Sequence, residues 1–138
     1  MNDTFVLDSF AVLALLGAEL GSDQVATLLR QAGDRDTRLH MTWINMGEVA
    51  YIVERRYGKE RLHAVLALLE ATALQMVPVG RELALLAAHI KAEHSIAYAD
   101  AFAAALAQHM SATLVTGDPE FRLLESIVDI CWLPQREP

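Results

Sequence analysis

The chain has 138 residues, room for one domain and one active centre, and its 54% apolar content against 21% charged excludes intrinsic disorder and provides a core. Eleven basic residues against 18 acidic ones make a formal net charge of -7, which at face value weighs against a polyanionic partner. The one cysteine, Cys131, excludes an internal disulfide and a cysteine-based zinc site, and with no basic leader and no apolar run near the roughly 20 residues of a membrane helix, a cytoplasmic protein is expected.

Thr4 to Leu7 reads as a short strand meeting Asp8-Ser9, two good helix caps, and Phe10 to Leu16 as the helix they open, stopped by Gly17 or Gly21. Ser22 then caps a second helix carrying Val25, Leu28 and Leu29 at helical spacing, and Gly33-Asp34-Arg35-Asp36 is a solvated turn. Leu39 to Thr42 is a second strand. Ile44 to Arg56 is a helix whose apolar face holds Ile44, Val49, Ile52 and Val53, and Gly58 ends it. Lys59 to Leu69 is an amphipathic helix, Leu74 to Val77 a third strand, and Arg81 to His94 a further helix. Ile96 to Ala107 is small and apolar almost throughout, as suits a helix packed on most of its circumference. Thr113-Leu114-Val115 is a fourth strand, Thr116 to Pro119 a turn into a short helix, and Ile127 to Leu133 a last strand before a polar tail. Strands alternating with helices imply a mostly parallel sheet covered on both faces, an α/β three-layer sandwich. Cys131 reads as a core residue, Trp43, Met41 and Met46 as core or interface, and most of the five histidines as surface or interface.

Four carboxylates stand out along this pattern. Asp100 is the only charged residue among the fourteen from Ser95 to Gln108, and an unpaired carboxylate in such surroundings must find a cation, a basic partner or an exposed helix start. Asp8 and Asp118 each follow a strand, at the edge where open parallel sheets build sites, although each could simply cap a helix. Glu48 shares a helical face with Ile44 and Ile52, which turns an acid toward the core side. Crowding these acids without a cation would raise their pKa values, and oxygen-only ligands suit Mg2+ or Mn2+, cations that support phosphodiester hydrolysis. The histidines lack zinc-site spacing, and GxGxxG, P-loop and GxSxG motifs are absent.

Phe5-Val6-Leu7-Asp8-Ser9, Gly47-Glu48-Val49, Tyr98-Ala99-Asp100-Ala101 and Leu114-Val115-Thr116-Gly117-Asp118-Pro119-Glu120-Phe121 together resemble the successive motifs of PIN-domain ribonucleases, specifically the VapC toxins of type II toxin–antitoxin systems. The resemblance covers essentially the whole chain and implies a single PIN domain over residues 1–138, an α/β/α sandwich with a five-stranded parallel sheet ordered 3-2-1-4-5. It further implies Mg2+- or Mn2+-dependent endonucleolytic cleavage of RNA, with Asp8, Glu48, Asp100 and Asp118 as the catalytic, metal-binding set. Ser9 and Thr116 match polar positions that assist such sites by hydrogen-bonding a carboxylate or metal-bound water. Glu120 falls where some members carry an additional acid and others do not. The implied partners are RNA, a cognate VapB-like antitoxin whose tail crosses the site, a second copy in a homodimer, and DNA only through the antitoxin. A PIN nuclease of RNA processing and a catalytically idle partner-binding protein stay open as alternatives. Setting the four acids aside leaves 14 acids against 11 bases, so a negative total is compatible with RNA chemistry at a cation-loaded crevice. Target choice would fall to surface arginines such as Arg30, Arg35, Arg38, Arg55, Arg56 and Arg61.

Overall fold

The computed structural model describes residues 3–34 and 36–134; Arg35, in the expected turn, and the polar tail lie outside them. Strands and helices alternate as β1 (Thr4–Leu7), α1 (Ser9–Leu16), α2 (Ser22–Gly33), β2 (Arg38–Thr42), α3 (Trp43–Tyr57), α4 (Lys59–Glu70), β3 (Gln75–Val77), α5 (Arg81–Glu93), α6 (Tyr98–Met110), β4 (Thr113–Thr116), a 3-10 helix over Pro119–Leu124, and β5 (Ile130–Trp132). All four strand pairings are parallel and the sheet order is β3-β2-β1-β4-β5, the arrangement the resemblance implies.

The alternation of side chains along β1 builds one core on each face of the sheet. Val6 packs with Leu114 and the helices α5 and α6, while Leu7 packs with Leu39, Met41 and Val115 under α1 to α4. Val6 and Leu7 are both fully buried, which is why β1 reads as an apolar run covered on both faces. Helix α6 buries every residue from Asp100 to Ala107, lying between α5, α3 and the sheet. Alanine at Ala101, Ala103, Ala104, Ala105 and Ala107 lets these neighbours approach closely without loss of helix propensity. Among the described residues no helix is long and apolar enough to cross a membrane.

Several sequence expectations need correction. Cys131 is exposed, because β5 is a short edge strand, Ile130–Trp132, with one neighbour in the sheet. Four of the five histidines are exposed or half-buried as expected, while His40 is buried on β2 and its Nε2 has no hydrogen-bond partner among the described residues. On α3 the buried stripe is Asn45, Met46, Val49 and Val53, whereas Ile44 is 40% exposed. Glu48 is half-buried on the rim of that stripe, so its orientation toward the site comes from α3's placement and not from a core-facing row. Trp43 lies on the same exposed side.

Candidate active site

The carboxyl edge of the sheet gathers the acids. Leu7 stands opposite Val115 in the β1–β4 register, so the next residues, Asp8 and Thr116, leave the sheet side by side. Asp8 is buried and caps α1: its Oδ1 accepts from the Ala11 N–H at 2.9 Å, and its Oδ2 accepts from the Thr116 hydroxyl. The Thr116 oxygen in turn accepts from the Asp118 N–H at 3.0 Å, which ties the turn after β4 to the carboxylate after β1. Asp118 caps the 3-10 helix by accepting from the Glu120 N–H at 3.0 Å, with Pro119 in the first turn. Capping and site-building are therefore roles of the same side chains.

The second half of the site comes from α3 and α6. The Ser9 hydroxyl donates to Glu48 Oε1, joining α1 to α3. Asp100 lies in the first turn of α6 and is buried. Carboxylate oxygens of Asp100, Asp118 and Glu120 all lie within 4.8 Å of one another. Glu120, left open by the sequence, thus joins the cluster, while Asp8 and Glu48 flank it.

The electrostatics match this crowding. Burial is the largest influence on Asp8 and, despite the Thr116 and Ala11 hydrogen bonds, raises its pKa to about 7, with Asp100 and Asp118 adding repulsion. Asp100 is also raised to about 7, first by burial, then by the charges of Asp118, Glu48 and Glu120 and by a hydrogen bond with Glu120. Among the described residues the ion pairs are His89–Glu93 and His109–Glu82, so no lysine or arginine neutralises the cluster. Unneutralised acids offering only oxygen fit a hard divalent cation, which would relieve the repulsion that raises these two groups.

Two residues escaped the sequence reading. Thr42 caps α3, and Asn45, three residues on, is fully buried and donates to the Ala99 carbonyl at 3.0 Å. The available signal was an amide standing in an otherwise apolar stripe with Met46, Val49 and Val53.

Gly117 sets the spacing of the turn. A Cβ there would lie 2.4 Å from Phe10 Cε1, closer than any contact a folded protein keeps. Phe10 also lines a cleft between α1, α3 and α4, into which its ring can yield. Gly117→Ala is therefore expected to cost about 1–3 kcal/mol of stability. Phe10→Leu combined with it should recover much of that loss in denaturant titrations; an equal loss in the double variant would show that the turn itself, not the ring, is what cannot move.

A sequence model of the PIN domain matches residues 5–126. A search of curated protein sequences finds no match. Among solved structures the chain is similar to VapBC2 from Rickettsia felis bound to a DNA fragment from its promoter, at TM-score 0.74 and 19% identity over 95% of this chain and 99% of that one. DNA-bound VapBC from Salmonella typhimurium is similar at TM-score 0.69 and 19% identity, covering 93% and 96%. VapC20 from Mycobacterium tuberculosis, described as a sarcin-ricin loop cleaving toxin, is similar at TM-score 0.66 and 20% identity, covering 91% and 97%. At these identities the likeness is one of fold.

Proposed function

The chain belongs to the PIN-domain family, and on that footing we propose that it is the toxin of a VapBC-type toxin–antitoxin pair, a metal-dependent endoribonuclease that cleaves RNA phosphodiester bonds. The observation that carries this reading is the set of carboxylates that converge at the sheet edge with, among the described residues, no lysine or arginine paired to them. A helix-capping role alone accounts for Asp8 and Asp118, which do cap, but not for Asp100, buried in the first turn of α6 without a capping bond, or for Glu48 in the second turn of α3, which Thr42 caps. The idle-protein alternative is weakened accordingly.

In this reading Asp8, Glu48, Asp100 and Asp118 hold Mg2+ or Mn2+, with Glu120 at the cluster's outer side. The cation supplies charge for the attacking and departing oxygens of the phosphodiester and makes water acidic enough to attack at neutral pH. Thr116 fixes the rotamer of Asp8, and Ser9 that of Glu48, so that both carboxylates are presented without reorganisation. Burial first, then neighbouring charge, raises Asp8 and Asp100 to about 7, so both can hold a proton near neutrality and would have to give it up to serve as ligands.

The protein would act in the cytoplasm as a single domain over residues 1–138, as a homodimer, and a VapB-like antitoxin would silence it. The solved relatives captured with antitoxin and DNA support that partner, and contact with DNA would be the antitoxin's. A net charge of -7 favours a basic inhibitory segment over the acidic crevice.

Incubating the purified protein with total cellular RNA tests the reading. Discrete cleavage is expected with Mg2+ or Mn2+ and none with EDTA, together with growth arrest on expression that a co-expressed antitoxin relieves. Intact RNA in excess Mn2+ and unimpaired growth would overturn it.

A further inference from the structure

Helices α3 and α6 each bring an acid to the site near their N-terminal turns, Glu48 and Asp100, and the charge on Glu48 is among those that raise Asp100. Repulsion between these carboxylates pushes the two helix starts apart whenever no cation lies between them. A polar bridge spans the same gap. Asn45 Nδ2 donates to the Ala99 carbonyl at 3.0 Å, one residue before Asp100, and Asn45 stands one helical turn before Glu48. The amide is itself anchored, since Asn45 Oδ1 accepts from the Thr42 hydroxyl at 2.5 Å and the Thr42 oxygen accepts from the Asn45 N–H at 3.0 Å. Thr42 and Asn45 are both fully buried, so water does not compete for these bonds.

We propose that Asn45, locked by Thr42, is a positioning residue that sets the place of Glu48 beside the Asp100 carboxylate and its cluster by tethering the start of α6 to the start of α3. The proposal rests on the metal-centre reading above and adds a part that none of the four acids supplies. Ser9 and Thr116 orient individual carboxylates, whereas the Asn45 bridge sets the distance between two helices. Any looseness here is felt at Glu48 and Asp100 together.

Asn45→Ala alone leaves the Thr42 hydroxyl without its acceptor and could lower stability for that reason. The Thr42→Val/Asn45→Leu double variant removes the hydroxyl–amide pair together, and what it still loses is the cap on the Asn45 N–H and the donor to the Ala99 carbonyl. Mn2+ affinity is read by isothermal titration well below the melting temperature, beside thermal unfolding of the metal-free protein. The double variant is expected to melt below the wild type yet stay folded at the titration temperature, while its Mn2+ dissociation constant rises about ten- to a hundredfold, the usual effect of losing an outer partner of a metal site. Wild-type Mn2+ affinity in the folded double variant would overturn the positioning role and leave the metal reading standing. A wild-type protein that binds no Mn2+ would overturn the metal reading, and this proposal with it. If the double variant is unfolded, Asn45→Ala at low temperature gives the same comparison, and unchanged affinity there overturns the proposal equally.

Discussion

Asp100→Asn is expected to abolish RNA cleavage, by about a thousandfold or more, while making the metal-free protein more stable at pH 8. The two effects have opposite signs for one physical reason. Asp100 is buried among Asp118, Glu48 and Glu120, and among the described residues no lysine or arginine pairs with them. Removing its charge relieves that repulsion, a gain of about 1–3 kcal/mol once water at the crevice mouth has screened part of it. In the proposed metal centre the same charge would help hold the cation. Asp8→Asn should lose cleavage to a similar extent but gain little stability, since Asp8 uses one oxygen for the Ala11 N–H and the other for the Thr116 hydroxyl, and an amide can accept at only one of them. Cleavage assays with denaturant titrations of both variants in EDTA check this. Retained cleavage in both would remove these acids from the chemistry, and a clear loss of stability in Asp100→Asn would contradict the repulsion.

The second large effect is an inverted pH dependence of the metal-free fold. Asp8 and Asp100 are raised from 3.8 to about 7, so the folded state binds their protons more tightly than the unfolded chain does. Their contribution to stability is complete below pH 4 and is lost as pH rises through 7. His40 acts in the other direction: burial, then the Arg38 charge, lowers its pKa below 6.5, so its contribution is present above pH 6.5 and is lost as pH falls. Two carboxyls outweigh one imidazole. In EDTA, stability should therefore decline by a few kcal/mol between pH 5 and pH 8. Excess Mn2+ should restore it at pH 8, by about 2.7 kcal/mol at a hundred times the dissociation constant. Urea titrations across this range measure both. A metal-free protein that grows more stable from pH 5 to pH 8 would show that the two carboxyls are not held protonated.

Much of this protein was legible in its sequence, because the strands and helices are set by local periodicity and by caps that lie next to each other in the chain. Thr4–Leu7 with Asp8 is read from a handful of adjacent residues, and the lone charge at Asp100 stands out within one helix. The motifs resembling the PIN family likewise occupy short segments, which is why the α/β/α sandwich and its strand order could be expected before any coordinates. Partners distant in the chain were not legible. That Asp100, Asp118 and Glu120 share one cluster, that Thr116 holds Asp8 across 108 positions, and that Asn45 reaches Ala99 across 54 depend on how β1, β4, α3 and α6 come together. Exposure also escaped local reading: Cys131 looks like core but lies exposed on an edge strand, and Ile44 looks like part of the buried face of α3 but is exposed. Local sequence thus determined which acids the protein carries and on which elements. Only the tertiary structure decided their spacing, their burial and the bonds that hold them against one another, since each of those depends on which elements pack side by side.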